Sequence, residues 1–207
     1  MNVALNGADF KAIESFVRKH VIGRNAYGPS MEEVTIQGES CKVRFTKPRY
    51  GTVTPEFGLT DIKGDYSPRE GEILFRSLGY RVGKSDHACE HCGGVIAHEA
   101  IHALQQRMLS PKDFESGLQA ANNRKEEARD YPERYADYVS SALELPAHAA
   151  MIAFSMREHD PSAFDSAALK CTFYYYFENR LDGSDRKELI LSDILAEAKR
   201  QHSIATA

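Results

Sequence analysis

The apolar stretch Val95-Ile96-Ala97-His98-Glu99-Ala100-Ile101-His102-Ala103-Leu104 decides how this chain is interpreted, because an HExxH pattern lies inside it. Its apolar residues predict a buried helix over about residues 92–108, and Gly93 and Gly94 indicate a loop where it starts. His98 and His102 share one face of a helix, so both imidazoles can reach one metal ion. Glu99 stands beside them as a general base for a water activated by that ion. The pattern predicts one zinc ion per chain and hydrolysis of an amide bond.

A plainer interpretation of the same segment is an amphipathic helix whose two histidines lie at the edge of a core. Under that interpretation the imidazoles and the Glu99 carboxylate need other polar partners, because burying them unpaired is unfavourable. A metal ion that binds both imidazoles, with its bound water beside the Glu99 carboxylate, gives all three groups a partner, and we expect one here.

Size and composition predict one globular domain. The chain has 207 residues, a net charge of -4, 42% hydrophobic and 27% charged residues. We expect residues 1–30 to form an N-terminal helix and loop, 31–108 a sheet and the HExxH helix, and 109–207 a helical part with the third metal ligand.

No basic block indicates nucleic acid as a partner, and no apolar run of 18 residues indicates a membrane span. The start of the chain lacks the pattern of a signal peptide, and the four cysteines are scattered. These features favour a cytoplasmic protein, or one exported without a cleaved signal.

The order of predicted elements indicates an α+β fold. Residues 8–21 predict an amphipathic helix, 33–45 a β-hairpin, 47–68 loop with short extended pieces, 72–78 a strand and 81–92 a polar loop. Residues 112–121 predict a short helix before a solvated surface stretch, and helices are predicted over 132–159, 162–179 and 184–202. We expect a small antiparallel sheet with an edge strand beside the HExxH helix, followed by a helical C-terminal half. Strand 72–78 is the predicted edge strand, which would bind an extended peptide by strand addition.

The third metal ligand is sought downstream of His102, because a catalytic zinc site uses three protein ligands and one open position. Position 108 is Met108, and no histidine lies between His102 and His148, which excludes an HExxHxxGxxH site. Glu144 is a carboxylate in an apolar helical setting. It also fits a capping box with Ser141. His148, four residues further on, shares the face of Glu144 and is an alternative ligand, a catalytic hydrogen-bond donor or a structural histidine.

The segments HEAIH (residues 98–102) and ELPAHA (144–149) together resemble the small gluzincin-like metallopeptidases of bacteria and phages. Those proteins pair HExxH with a downstream segment that begins with glutamate. The sequences GDYSP (64–68) and EILF (72–75) are similar to their turn and edge strand. The resemblance spans about residues 30–155 and implies a minimal zincin-like fold that acts on a protein or peptide. It implies His98, His102 and Glu144 as zinc ligands and Glu99 as the base. Pro146 departs from the pattern and is expected to bend the helix that carries Glu144.

Further residues are candidates for supporting roles. A developing negative charge on the substrate needs a donor besides the metal, and His148, Tyr131, Tyr135 and Tyr138 are the candidates. Cys89 and Cys92 form a single CxxC, which we interpret as local loop residues or thiols near the mouth of a cleft.

The aromatic run at 173–177 (FYYYF) faces several sides of a helix, so part of it should be exposed. It is a candidate surface for a partner, including a second copy of this chain. Two other functions stay open: a toxin, effector or regulatory module that uses a metal site to bind or act on one protein, and a zinc hydrolase for a non-peptide amide.

Overall fold

The computed structural model describes residues 3–21, 30–46, 62–67, 69–77, 86–127 and 131–207. These residues form an α+β fold in which helices predominate, as expected. The strands are β1 (Ser30–Ile36), β2 (Glu39–Thr46), β3 (Ile62–Ser67) and β4 (Glu72–Ser77). The helices are α1 (Gly7–His20), α2 (Asp86–Met108), α3 (Pro111–Glu127), α4 (Pro132–Val139), α5 (Glu144–Ser155), α6 (Phe164–Ala168), α7 (Thr172–Arg180) and α8 (Lys187–Thr206), with a 3₁₀ turn at Pro161–Ala163. None of the helices in these ranges is both long enough and apolar enough to cross a bilayer.

The strands form one mixed sheet in the order β1-β2-β4-β3. The hairpin of β1 and β2 is confirmed, and its two turn residues, Gln37 and Gly38, have φ values of 51° and 79°. Two-residue turns with positive φ match the twist of a hairpin. The expectation of an antiparallel sheet is wrong at one pairing, because β2 and β4 are parallel. β4 turns back from β3 and inserts beside β2, so it runs in the same direction as β2.

The prediction that strand 72–78 lies at the edge of the sheet is also wrong. β4 matches the predicted strand 72–78, but it lies inside the sheet, and β3 is the outer described strand on that side. β3 packs against α2. It lies within residues 47–68, where the content of glycine, proline and threonine predicted loop with short extended pieces.

Two cores flank α5, which contributes side chains to both. Ala147, Ala150 and Phe154 join the core formed with the sheet, α1 and α2, whereas Ala149 and Ile152 join the core of the C-terminal helices. α5 therefore lies at the centre of the molecule, with α2 packed along it.

Helix α2 begins at Asp86, earlier than predicted, and Gly93 and Gly94 lie within it rather than in a loop. A Cβ atom at Gly93 would lie 2.2 Å from the ring of Phe154, and one at Gly94 would lie 2.4 Å from the ring of Phe173. Both glycines are therefore needed for close packing of α5 and α7 against α2. The predicted loop is wrong because glycine can also be required inside a helix where a neighbouring side chain packs too closely for a Cβ atom.

Replacing Gly93 with alanine should destabilise the fold by about 1–3 kcal/mol, because the new methyl group overlaps the buried Phe154 ring. The matched control is Gly117→Ala in α3, where the new Cβ would meet the aliphatic side chain of Leu143, 2.8 Å from Cδ1 and 3.4 Å from Cγ, instead of an aromatic ring. Its gain in helix propensity should offset that contact. Urea unfolding measures both variants. Equal denaturation midpoints for Gly93→Ala and the unmodified protein would contradict this packing.

The predicted helix 132–159 is two helices, α4 and α5, separated by residues 140–143. Pro146 explains the break, because its ring excludes a helical carbonyl at position 142 and it has no N–H to donate. Pro146 therefore lies in the first turn of α5 instead of bending a longer helix. The predicted helix 162–179 is likewise divided into α6 and α7, and α3 is longer than the predicted 112–121.

Candidate metal centre

Helices α2 and α5 bring together all five side chains that the sequence singled out. α2 carries His98, Glu99 and His102, and the first turns of α5 carry Glu144 and His148. Each of these residues is at most 8% exposed. Five ionisable side chains are thus held inside the protein where two segments far apart in sequence meet.

The ligand atoms of His98, His102 and Glu144 converge. The two Nε2 atoms lie 3.2 Å apart, Glu144 Oε2 lies 3.4 Å from His98 Nε2, and Glu144 Oε1 lies 3.6 Å from His102 Nε2. Around a tetrahedral ion with bonds of about 2.0–2.1 Å, ligand atoms are about 3.3–3.4 Å apart. The spacing of these side chains therefore fits coordination of one metal ion.

Glu144 directs its carboxylate at the histidines instead of closing a capping box. Ser141 Oγ does accept a hydrogen bond from the Glu144 backbone N–H, at 3.3 Å, so one half of the predicted box is present. Burial acts to raise the pKa of the Glu144 carboxyl, but attraction to His102, His98 and His148 outweighs it and holds that pKa well below its usual range. Glu144 is therefore an anion at neutral pH, as a metal ligand must be.

His148 lies at the same cluster. Its Nε2 atom is 3.7 Å from Glu144 Oε2, and its ring centroid is 4.7 Å from that of His98. The ligand atoms of His98, Glu144 and His148 all lie within 4.8 Å of one another, as do those of His98, Glu99 and His102. Either group of three could hold a metal ion, and His98 belongs to both.

Of the three candidate tyrosines, Tyr138 lies at the cluster. Burial and the neighbouring Glu144 carboxylate, with which it shares a hydrogen bond, raise the pKa of Tyr138 well above its usual range, so its hydroxyl remains a donor at neutral pH. Its ring contacts that of His148, with centroids 5.6 Å apart. Tyr131 is 60% exposed, and Tyr135 packs under the Arg180 guanidinium.

Gln105 belongs to the site and was not identified from the sequence. Its side chain is fully buried and bonds to His102 Nδ1 on one side and to the Leu143 carbonyl on the other. The available signal was its spacing, since a residue three positions after a helical ligand lies on the same face.

The CxxC cysteines lie within α2, not in a loop or at the mouth of a cleft. All four cysteines are buried and free of disulfides. Burial raises the pKa of the Cys92 thiol to about 12 and the pKa values of Cys41 and Cys171 to about 11. We interpret them as packing residues.

We expect the folded protein to resist thiol alkylation at pH 8. With a pKa of about 12, Cys92 holds only about 10⁻⁴ of its population as the reactive thiolate at that pH. Unfolding restores an ordinary thiol pKa near 8.5, so all four cysteines should then be alkylated within minutes. Mass spectrometry of native and urea-treated samples measures this. Rapid alkylation of Cys89 or Cys92 in the native sample would contradict the buried packing role.

The aromatic run is partly exposed, as predicted. Phe173 and Phe177 are buried in α7, whereas Tyr175 and Tyr176 are 51% and 41% exposed. Phe177 also contacts His148, with ring centroids 4.9 Å apart. A role in pairing two copies of the chain stays a prediction.

Comparisons with models of known protein families, with curated proteins and with solved structures find no match to this chain. The resemblance to small gluzincin-like peptidases thus stays an expectation based on the motif residues.

Proposed function

We propose that this protein is a zinc-dependent peptidase with a zincin-like arrangement of its active site. The observation that carries the proposal is the convergence of His98, His102 and Glu144 from two separate helices into one buried cluster with Glu99 beside it. Two imidazoles and one carboxylate form a ligand set that catalytic zinc sites use. A zinc ion bound there would lower the pKa of a coordinated water and polarise a carbonyl group.

The neighbouring residues supply proton transfer and charge stabilisation. Glu99 Oε1 lies 3.9 Å from His98 Nε2, so the carboxylate borders the metal ligands. It accepts a proton from the attacking water and returns it to the departing amine. Tyr138 and His148 lie beside Glu144, whereas Glu99 lies beside His98. Both Tyr138 and His148 can donate hydrogen bonds to the negative charge that develops on the substrate oxygen.

The sheet supports a peptide as the substrate. β3 pairs only with β4 among the described strands and lies against α2. The other edge of β3 can therefore bind an extended chain by strand addition. We therefore assign substrate binding to β3, which lies beside α2, and not to the predicted strand 72–78.

The experiment that tests the proposal compares zinc-loaded and chelator-treated protein on a peptide library prepared from a cell lysate. New N-termini are identified by mass spectrometry. We expect cleavage by the zinc-loaded protein alone, with restoration when zinc is returned. If neither sample produces new N-termini, the peptidase assignment is wrong.

A second candidate is a metal-containing binding or regulatory module, and the position of His148 favours it. If His148 joins His98, His102 and Glu144, four protein ligands close the coordination shell, as in structural zinc sites. A hydroxamate distinguishes the two, because it binds zinc only at an open position. Perturbation of the visible spectrum of the cobalt-substituted protein by hydroxamate supports the peptidase, and an unchanged spectrum supports the module.

A further inference from the structure

Gln105 forms a bridge between the two helices of the metal centre. Its amide oxygen lies 2.8 Å from His102 Nδ1, its NH₂ group donates to the Leu143 carbonyl at 2.9 Å, and the side chain is fully buried. We infer that Gln105 is a positioning residue that fixes the tautomer of His102 and ties the chain segment preceding Glu144 to α2. This inference rests on the proposed metal site and adds a determinant of its affinity.

The orientation of the Gln105 amide follows from the chemistry of its partners. A backbone carbonyl only accepts hydrogen bonds, so the NH₂ group of Gln105 must face Leu143. The amide oxygen then faces His102 and can only accept, so Nδ1 of His102 carries the proton. In the neutral imidazole, Nε2 is therefore left with its lone pair, and this atom faces His98 and Glu144. One amide thus presents His102 in the form that binds a metal.

The second hydrogen bond acts on the other helix. Leu143 is the N-cap residue of α5 and makes no side-chain capping hydrogen bond, and Glu144 follows it directly. The bond from Gln105 holds this carbonyl against α2 and so sets how close the Glu144 carboxylate comes to the two imidazoles. Loss of the amide should loosen a ligand on each helix at once, although Gln105 itself would not touch the metal.

Gln106 provides a matched comparison because it is the same residue type at the next position. Its side chain accepts a hydrogen bond from the hydroxyl of Tyr66 on β3. Gln105→Met and Gln106→Met each remove an amide from α2 and keep most of the side-chain volume. A loss specific to the first variant therefore reports the bridge and not the general stability of the helix.

The direct test is NMR of ¹⁵N-histidine in the metal-free protein, recorded over a series of pH values that includes the neutral form of His102. In the unmodified protein we expect His102 as a single tautomer protonated at Nδ1. Gln105→Glu keeps the acceptor and should keep that tautomer, whereas Gln105→Met should give a mixture. His102 protonated at Nε2 in the unmodified protein would overturn the inference, even if no variant folds.

Zinc affinity is the second readout, measured by competition with a chromophoric chelator. We expect Gln105→Met to bind zinc about 10–100-fold more weakly, as for other groups that orient metal ligands. Gln106→Met should bind like the unmodified protein. Equal affinity in Gln105→Met and the unmodified protein would overturn this inference alone, whereas absence of zinc binding by the unmodified protein would overturn the proposed function.

Discussion

Glu99→Gln is expected to retain zinc and to lower peptide hydrolysis by about 10²–10⁴-fold, the usual contribution of a general base. The amide has the shape of the carboxylate but cannot take a proton from water. The three proposed ligands should remain in place, since Glu99 is not one of them and its Oε1 atom lies 3.9 Å from His98 Nε2. Metal content by atomic emission and cleavage of a peptide substrate measure the two quantities separately.

The control is Glu115→Gln, which makes the same chemical change at an exposed position in α3. It should alter neither zinc content nor hydrolysis. Full hydrolysis in Glu99→Gln would remove Glu99 from the mechanism. Loss of zinc together with activity would instead make Glu99 a ligand.

Glu144→Ala should weaken zinc binding by more than about 100-fold, beyond the loss seen when a group that only orients a ligand is removed. The ion would lose its one carboxylate, and the two buried imidazoles alone cannot complete the set of three. His148→Ala should weaken zinc binding less, since His148 contacts Glu144 from outside the proposed set. Competition with a chromophoric chelator measures zinc binding in each variant. Urea unfolding with and without zinc is a second measure, because zinc at 100 times its Kd should raise the free energy of unfolding by about 2.7 kcal/mol.

The matched control for Glu144→Ala is Glu188→Ala, which removes an exposed carboxylate from the first turn of α8. It accounts for the general loss of a negative charge at a helix N-terminus, about 0.3–1 kcal/mol. If Glu144→Ala binds zinc normally while His148→Ala does not, the third ligand is His148 and the assignment of Glu144 is wrong.

The elements that the sequence predicted correctly are those whose signal is local. The amphipathic spacing of α1, the alternation of the β1–β2 hairpin and the spacing of His98 and His102 each depend on neighbouring residues. The convergence of Glu144 on this pair was expected only from the motif resemblance. The break before α5 could have been predicted locally from Pro146. Its ring excludes a helical carbonyl at position 142, so a helix start near this proline is favoured over a bend in a longer helix.

The features that sequence reasoning missed depend on contacts between distant segments. Gly93 and Gly94 look like loop residues until Phe154 and Phe173 are packed against them. β3 becomes a strand by pairing with β4 and not by its own composition. Likewise, the bond from Gln105 to Leu143 joins positions 38 residues apart, so no pattern around HExxH can indicate it.

The most direct measurement of the central claim is zinc-edge X-ray absorption, or a crystal structure, of the protein loaded with one equivalent of zinc. We predict one ion per chain at about 2.0–2.1 Å from Nε2 of His98 and of His102, with a Glu144 carboxylate oxygen at about 2.0–2.2 Å. An ion held elsewhere, or no bound ion while these three side chains remain in place, would contradict the assignment of a metal centre.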